Sequence, residues 1–203
     1  YIFKIIQILL SENNDIFKSV MNMIDDISLQ NMLRKKNYFG ISPLFYAIQK
    51  CNNLDKCEYM IEILQKLNIF NDEIIAEDHC GNNILHYAVD NENNKILVYI
   101  LDILTKNVEN VLKMLRKPNN NGATPLLFAA IDRKNFDNLK IVMNTLRQYE
   151  VLNEEITVAD NEGNNILHYI AKNEEYNNRE LAENIFAECG LHFETMVQKE
   201  NNL

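Results

Sequence analysis

Glycine is scarce in this 203-residue chain, with five in all, and proline is scarcer still at three. So few breakers leave room for helices. Cysteine occurs four times, at Cys51, Cys57, Cys80 and Cys189, with no regular spacing and no C-x-x-C pair. That argues against a disulfide framework and a zinc site, even with His79 beside Cys80, and favours the reduced thiols of an intracellular protein. Basic residues are in deficit: 20 Lys and Arg face 29 Asp and Glu, a net charge of −9. Nucleic acid and anionic membrane are therefore poor partners, and a protein of basic or mixed surface is a better one. Long apolar runs are absent too. Tyr1 to Leu10 and Ile96 to Leu104 are interrupted by Lys4 and Asp102 and fall short of the about 18 residues a spanning helix needs. No membrane insertion is expected in this segment. No Ser-His-Asp order, glycine-rich phosphate loop or metal-ligand cluster is present, so the expectation is a non-enzyme without cofactor or metal.

What is present is a repeat. Four of the five glycines, Gly40, Gly81, Gly122 and Gly163, are spaced by 41 residues. They open the octets GISPLFYA, GNNILHYA, GATPLLFA and GNNILHYI. Such a period marks stacked units that bury their apolar faces only against one another. A longer period of 82 lies over it: MLRKKN (32–37) returns as MLRKPN (114–119) and in weaker form as MVQKEN (196–201), and NDEI (71–74) as NEEI (153–156). The units run 37–77, 78–118, 119–159 and 160–200, with a partial unit at 1–36 and the start of another at 201–203. One array is expected, as a fragment of a longer protein.

Each octet predicts a short first helix. Ser42 and Thr124 stand at N-cap positions before Pro43 and Pro125, and Asn83 and Asn165 take the capping role in the other two units. Small Ala47, Ala88 and Ala129 permit close approach of neighbouring helices. A longer second helix follows, with apolar spacing at Met60, Ile61, Ile63, Leu64 and Leu67, at Ile100, Leu101, Ile103 and Leu104, at Ile141, Val142 and Leu146, and at Leu181, Ile185 and Phe186. Next comes a polar loop that carries the acid pairs Asp72-Glu73 and Glu154-Glu155, expected to be solvated, to cap or to shape a finger rather than to do general acid/base work. It ends in Asn37, Asp78, Asn119 or Asp160, three residues before the glycine, where an Asx turn and a positive φ are expected. Gly190, after Cys189, is expected to cap a helix.

These residues resemble the ankyrin repeat, with its D-x-x-G-x-T-P-L-H-x-A-A pattern. Asp160, Gly163, Leu167, His168 and Ala171 match it, as do Asp78, Gly81, Leu85, His86 and Ala88, and Gly122, Thr124, Pro125, Leu126, Ala129 and Ala130. The resemblance spans essentially the whole chain. It implies an all-α, ankyrin-like solenoid of helix-turn-helix units joined by loops or short β-hairpin fingers, with His86 and His168 bonded to neighbouring loop backbone. Ankyrin units have about 33 residues, so these are longer by eight, and the glycine that ends the first helix is replaced by Cys51, Glu92, Arg133 and Glu174.

The resemblance further implies a protein-binding surface on loop tips and first helices. The matching positions are Lys36, Tyr38, Phe39, Ile41, Gln49 and Lys50, then Glu77, His79, Asn82, Asp90 and Asn91. Asn120, Asn121 and Asp132 follow in the third unit, and Asn161, Glu162, Asn164 and Lys172 in the fourth. Tyr38, Phe39 and Ile41 form an apolar tip suited to an anchor. The expected function is a non-enzymatic protein–protein interaction scaffold; the alternative is a targeting or spacer arm of a larger effector, toxin or enzyme. A cytoplasmic location is expected, or the host cytosol if the chain is a bacterial effector.

Overall fold

The computed structural model describes residues 14–106, 108–131 and 136–171, together with positions 183 and 187. Twelve helices and no strand occur among them. The expected helices that fall among the described residues thus form, and of the two expected connections, loops or β-hairpin fingers, these residues show turns and no finger. Leu181, Ile185, Phe186, Cys189, Gly190 and the segments 1–13 and 196–203 lie outside the described residues.

Two helices precede the first glycine, α1 (Asn14–Asn22) and α2 (Asp26–Leu33). The octets form first helices: α3 (Pro43–Lys50), α6 (Ile84–Val89), α9 (Pro125–Ile131) and α12 (Ile166–Ala171). Their starts follow from the residues in front. Ser42 accepts from the Phe45 N–H with Pro43 at the first position, and Thr124 accepts from the Leu127 N–H at 3.4 Å. Asn83 and Asn165 each accept from two backbone N–H groups. Donors that a helix leaves without intrahelical partners are satisfied in this way.

Longer second helices follow as α4 (Leu54–Lys66), α7 (Asn94–Thr105) and α10 (Phe136–Gln148). First helices pack in order, α3 on α6, α6 on α9 and α9 on α12, while α1, α4, α7 and α10 make a second row. Leu44, Leu85 and Leu126 from the first row and Met60, Leu64, Ile100, Val142 and Leu146 from the second are buried in one continuous core. Ala47, Ala88 and Ala129 are fully buried, as close helix approach requires.

The sequence reading is corrected at the loops after the second helices. A third helix packs there in each of the first three complete units: α5 (Phe70–Ile74), α8 (Val108–Leu115) and α11 (Leu152–Glu155). Ahead of α5 and α11 the chain reverses at Asn68 and Glu150, both at positive φ, 56° and 61°. The next N–H groups, of Ile69 and Val151, reach back to the Leu64 and Leu146 carbonyls, a Schellman-type close. Buried Ile69, Ile74, Leu152 and Ile156 then pull the segment onto the core.

The 82-residue period has an electrostatic counterpart. Arg34 and Arg116 follow α2 and α8, while α5 and α11 carry acid pairs. Arg34 meets Asp72 at 2.8 Å, and Arg116 meets Glu154 at 3.0 Å. Exposed pairs of this kind add at most about 1 kcal/mol each.

Candidate partner-binding face

Each junction between units is an Asx turn. One side-chain oxygen of Asn37, Asp78, Asn119 or Asp160 accepts from the backbone N–H groups two and four residues later. The glycine closing each turn has φ between 76° and 82°. Backbone bonds tie successive turns together: His79 N–H to Phe39 O at 2.9 Å, Asn120 N–H to Cys80 O at 2.8 Å, and Asn161 N–H to Asn121 O at 3.0 Å. The Asn120 and Asn161 side-chain amides add a second rung, donating to the His79 and Asn120 carbonyls.

This ladder engages many residues expected to meet a partner. Lys36 donates to the Glu77 carbonyl at 3.1 Å, and Lys117 pairs with the Glu77 carboxylate. Gln49 donates to Asp90 at 2.6 Å, and Asn82 bonds both Asp78 and Asn119. The backbone N–H of Asn121 donates to the Asn119 side chain, and those of Glu162 and Asn164 to the Asp160 carboxylate. Lys50 is exposed at the end of α3. Asp132 and Lys172 lie outside the described residues.

Asn91 is a correction. It is 1% exposed, and its amide donates to the carbonyls of Ile48, Gln49 and Cys51. Those carbonyls end α3, so a buried amide from the next unit does what the missing glycine would otherwise do. Asn91 is therefore an internal clamp and is not presented to a partner. Asn138, which sequence reasoning passed over, does the same from α10, donating to Val89 O and Asn91 O. The available signal was an asparagine set in the apolar stripe of α10 beside Leu139 and Val142.

The acid pairs are a second correction. Asp72 and Glu154 are exposed, but Glu73 and Glu155 are buried, each with one carboxylate oxygen lacking a partner. Arg116 reaches Glu155 at 2.8 Å. Burial pushes the Glu73 and Glu155 carboxyls above the usual range, against the pull of Lys36 and Arg34 on the first and Arg116 on the second.

Tyr38 and Phe39 remain open, 89% and 61% exposed, with their rings edge to face at 5.6 Å. Next to them is a cavity of about 240 Å³ bounded by Phe39, Ile41 and Cys80 from two turns and by His86, Tyr87 and Phe128 from α6 and α9. His86 is structural. Its Nδ1 accepts from the Asn83 N–H at 3.2 Å, which leaves the proton on Nε2 for the Ala123 carbonyl at 3.0 Å. Burial lowers its pKa despite that carbonyl and the nearby Asp78 and Glu77, so it is neutral at physiological pH. For Asp78, burial acts upward but is outweighed by donors from Tyr87, Asn82 and backbone, and its pKa is lowered.

Cys51 and Cys57 are buried and Cys80 is exposed, none of the three in a disulfide, and no cluster of potential metal ligands occurs among the described residues. No helix among them is long and apolar enough to cross a membrane. No protein-family model matches the chain, and a search of curated proteins finds no significant match.

Proposed function

We propose that the chain is an ankyrin-like array, a solenoid of 41-residue units, acting as a non-enzymatic module that binds a partner protein on its turn and first-helix face. The supporting observation is the contrast on that face between Tyr38 with Phe39 and everything around them. Gln49, Asn82, Asn120 and Asn161 have their side chains bonded within the face, while two aromatic rings stand 89% and 61% exposed beside a cavity. Exposed aromatics next to a recess are the features that carry binding energy at interfaces. The net charge of −9 favours a partner of basic or mixed surface.

The test compares affinity capture by the wild-type chain with that by Tyr38→Ala/Phe39→Ala, after circular dichroism has shown equal helix content. A specific protein retained by the first and lost by the second is expected. Equal retention by both removes this face as the binding surface.

A further inference from the structure

We infer that the cavity between the first two complete units receives one aromatic or branched apolar side chain from an extended segment of a partner protein, with a lysine or arginine beside it. This rests on the interaction-module reading and specifies the chemistry of the partner. Size is the first argument. At about 240 Å³ the cavity lies below the roughly 300–1,000 Å³ of sites that enclose small-molecule ligands, and suits a single large side chain.

Hydrogen-bond accounting is the second. Asp78 already accepts from the Tyr87 hydroxyl at 2.6 Å and from the Asn82 backbone and amide. Both His86 nitrogens are engaged, the Asn82 side-chain oxygen accepts from Asn119, and the Gln49 amide is on Asp90. The surface left for an occupant is chiefly carbon, from Phe39, Ile41 and the rings of Tyr87 and Phe128. A polar occupant would give up its water without replacement, whereas an apolar one gains by leaving it.

The third argument is the sign of the field. The charges that act on His86 come from Asp78 and Glu77, and those on Tyr87 from Asp78, Cys80 and Asp90. No lysine or arginine is among them. Lys117 pairs with the Glu77 carboxylate and Lys36 donates to the Glu77 backbone carbonyl, so Asp78 and Asp90 are the carboxylates left to set the sign. A cation on the partner next to the inserted side chain therefore meets complementary potential.

Cys80 makes the site testable, because it is exposed and lines the cavity while Cys51 and Cys57 are buried. The full chain carrying Cys189→Ser is equilibrated with cysteamine-linked disulfides of three dipeptide amides, Phe-Lys, Phe-Glu and Ser-Lys, against increasing reductant. Adducts at Cys80 are counted by intact mass. The Phe-Lys adduct is expected to withstand about tenfold more reductant than Ser-Lys, the increment for burying an aromatic side chain, and more than Phe-Glu. Phe39→Ser, at a position too exposed to endanger folding, abolishes that preference without changing the Ser-Lys adduct, and Phe128→Ala does the same from the inner wall. Equal retention of the three probes, preference for Phe-Glu, or a preference that survives Phe39→Ser overturns the inference. So does self-association of the chain that Phe39→Ser abolishes, which would assign the cavity to a second copy. Since no natural partner is needed, a negative result here leaves the module reading standing, and a failed capture experiment leaves this measurement intact.

Discussion

The heptapeptide GNNILHY occurs twice, at 81–87 and 163–169, and the two copies sit in different surroundings. Their local bonds agree. Asn83 and Asn165 cap their helices, His86 and His168 accept the cap residue's own N–H on Nδ1, and Tyr87 and Tyr169 donate to Asp78 and Asp160. Their burial does not agree. His86 is 1% exposed and bonded to the next unit through Ala123, whereas His168 is exposed. A Cβ on Gly81 would lie 2.8 Å from the Asn120 side-chain oxygen, while one on Gly163 would meet nothing within 4 Å among the described residues. The seven residues thus encode a turn and a cap by themselves, and the following unit converts that local piece into core. Stability at the first copy therefore includes coupling to the following unit, whereas the positions that stand in the same relation to the second copy lie outside the described residues.

The sharpest way to break this comparison is to substitute the paired glycines. Gly81→Ala forces an L-residue into the left-handed region, costing about 1–2 kcal/mol. It also displaces Asn120, whose bonds to Cys80 O and His79 O tie two turns together; with an exposed hydrogen bond worth about 0.5–1.5 kcal/mol, the total should be about 2.5 kcal/mol. Gly163→Ala, with no described residue within 4 Å of the added carbon, should cost only the first part. Urea denaturation of both variants measures the difference, and equal losses would mean that the neighbouring unit contributes nothing at Gly81.

Histidine comes next. His86→Ala strands the Ala123 carbonyl and removes a buried ring, for an expected loss of about 2 kcal/mol, while His168→Ala at an exposed site should stay within about 0.5 kcal/mol. Tyrosine should then abolish the contrast. Tyr87→Phe and Tyr169→Phe each remove a hydroxyl bonded to an aspartate of the same unit, so both should cost about 1 kcal/mol. A much larger loss at Tyr87 would show that this bond, too, depends on the next unit.

The same division explains what was legible in the sequence. Gly40, Ser42, Asn83 and Asp78 act on residues within four positions of themselves, so spacing and residue type disclose them. Asn91 acts on carbonyls 40 to 43 residues away and Asn138 on carbonyls 47 and 49 away. Nothing local distinguishes such an amide from a solvated one. The third helices were missed for a related reason: NDEI and NEEI have the polarity of a loop, and their helicity depends on Ile74 and Leu152 finding the core. Glu73 and Glu155 are buried through that docking. Of the candidate face, Tyr38 and Phe39 were legible as an apolar tip, but the recess beside them needs two turns and two first helices in place.

The smallest expected effect concerns protons, and it separates the turns from the third helices. Donors hold Asp78 and Asp160 below the ordinary aspartate value of 3.8 although burial works against them, and burial holds Glu73 and Glu155 above the ordinary glutamate value of 4.5. A carboxyl with a raised folded pKa stabilises through its protonated form, fully below 4.5 and progressively less as pH rises through the raised value. The aspartates do the reverse, contributing fully above 3.8 and less as pH falls through their depressed values. His86, lowered by burial, also disfavours acid, so the effect is best taken as a difference between variants. Relative to Glu73→Gln/Glu155→Gln, the wild-type urea midpoint should rise between pH 7 and 4.5, with a slope of at most about 1.4 kcal/mol per pH unit per proton. Asp78→Asn/Asp160→Asn should leave that rise intact and flatten only the loss below 3.8, since Asn37 and Asn119 already make the same turn with an amide. A rise that persists unchanged in the glutamine variant would mean that the third helices do not bury their acids in solution.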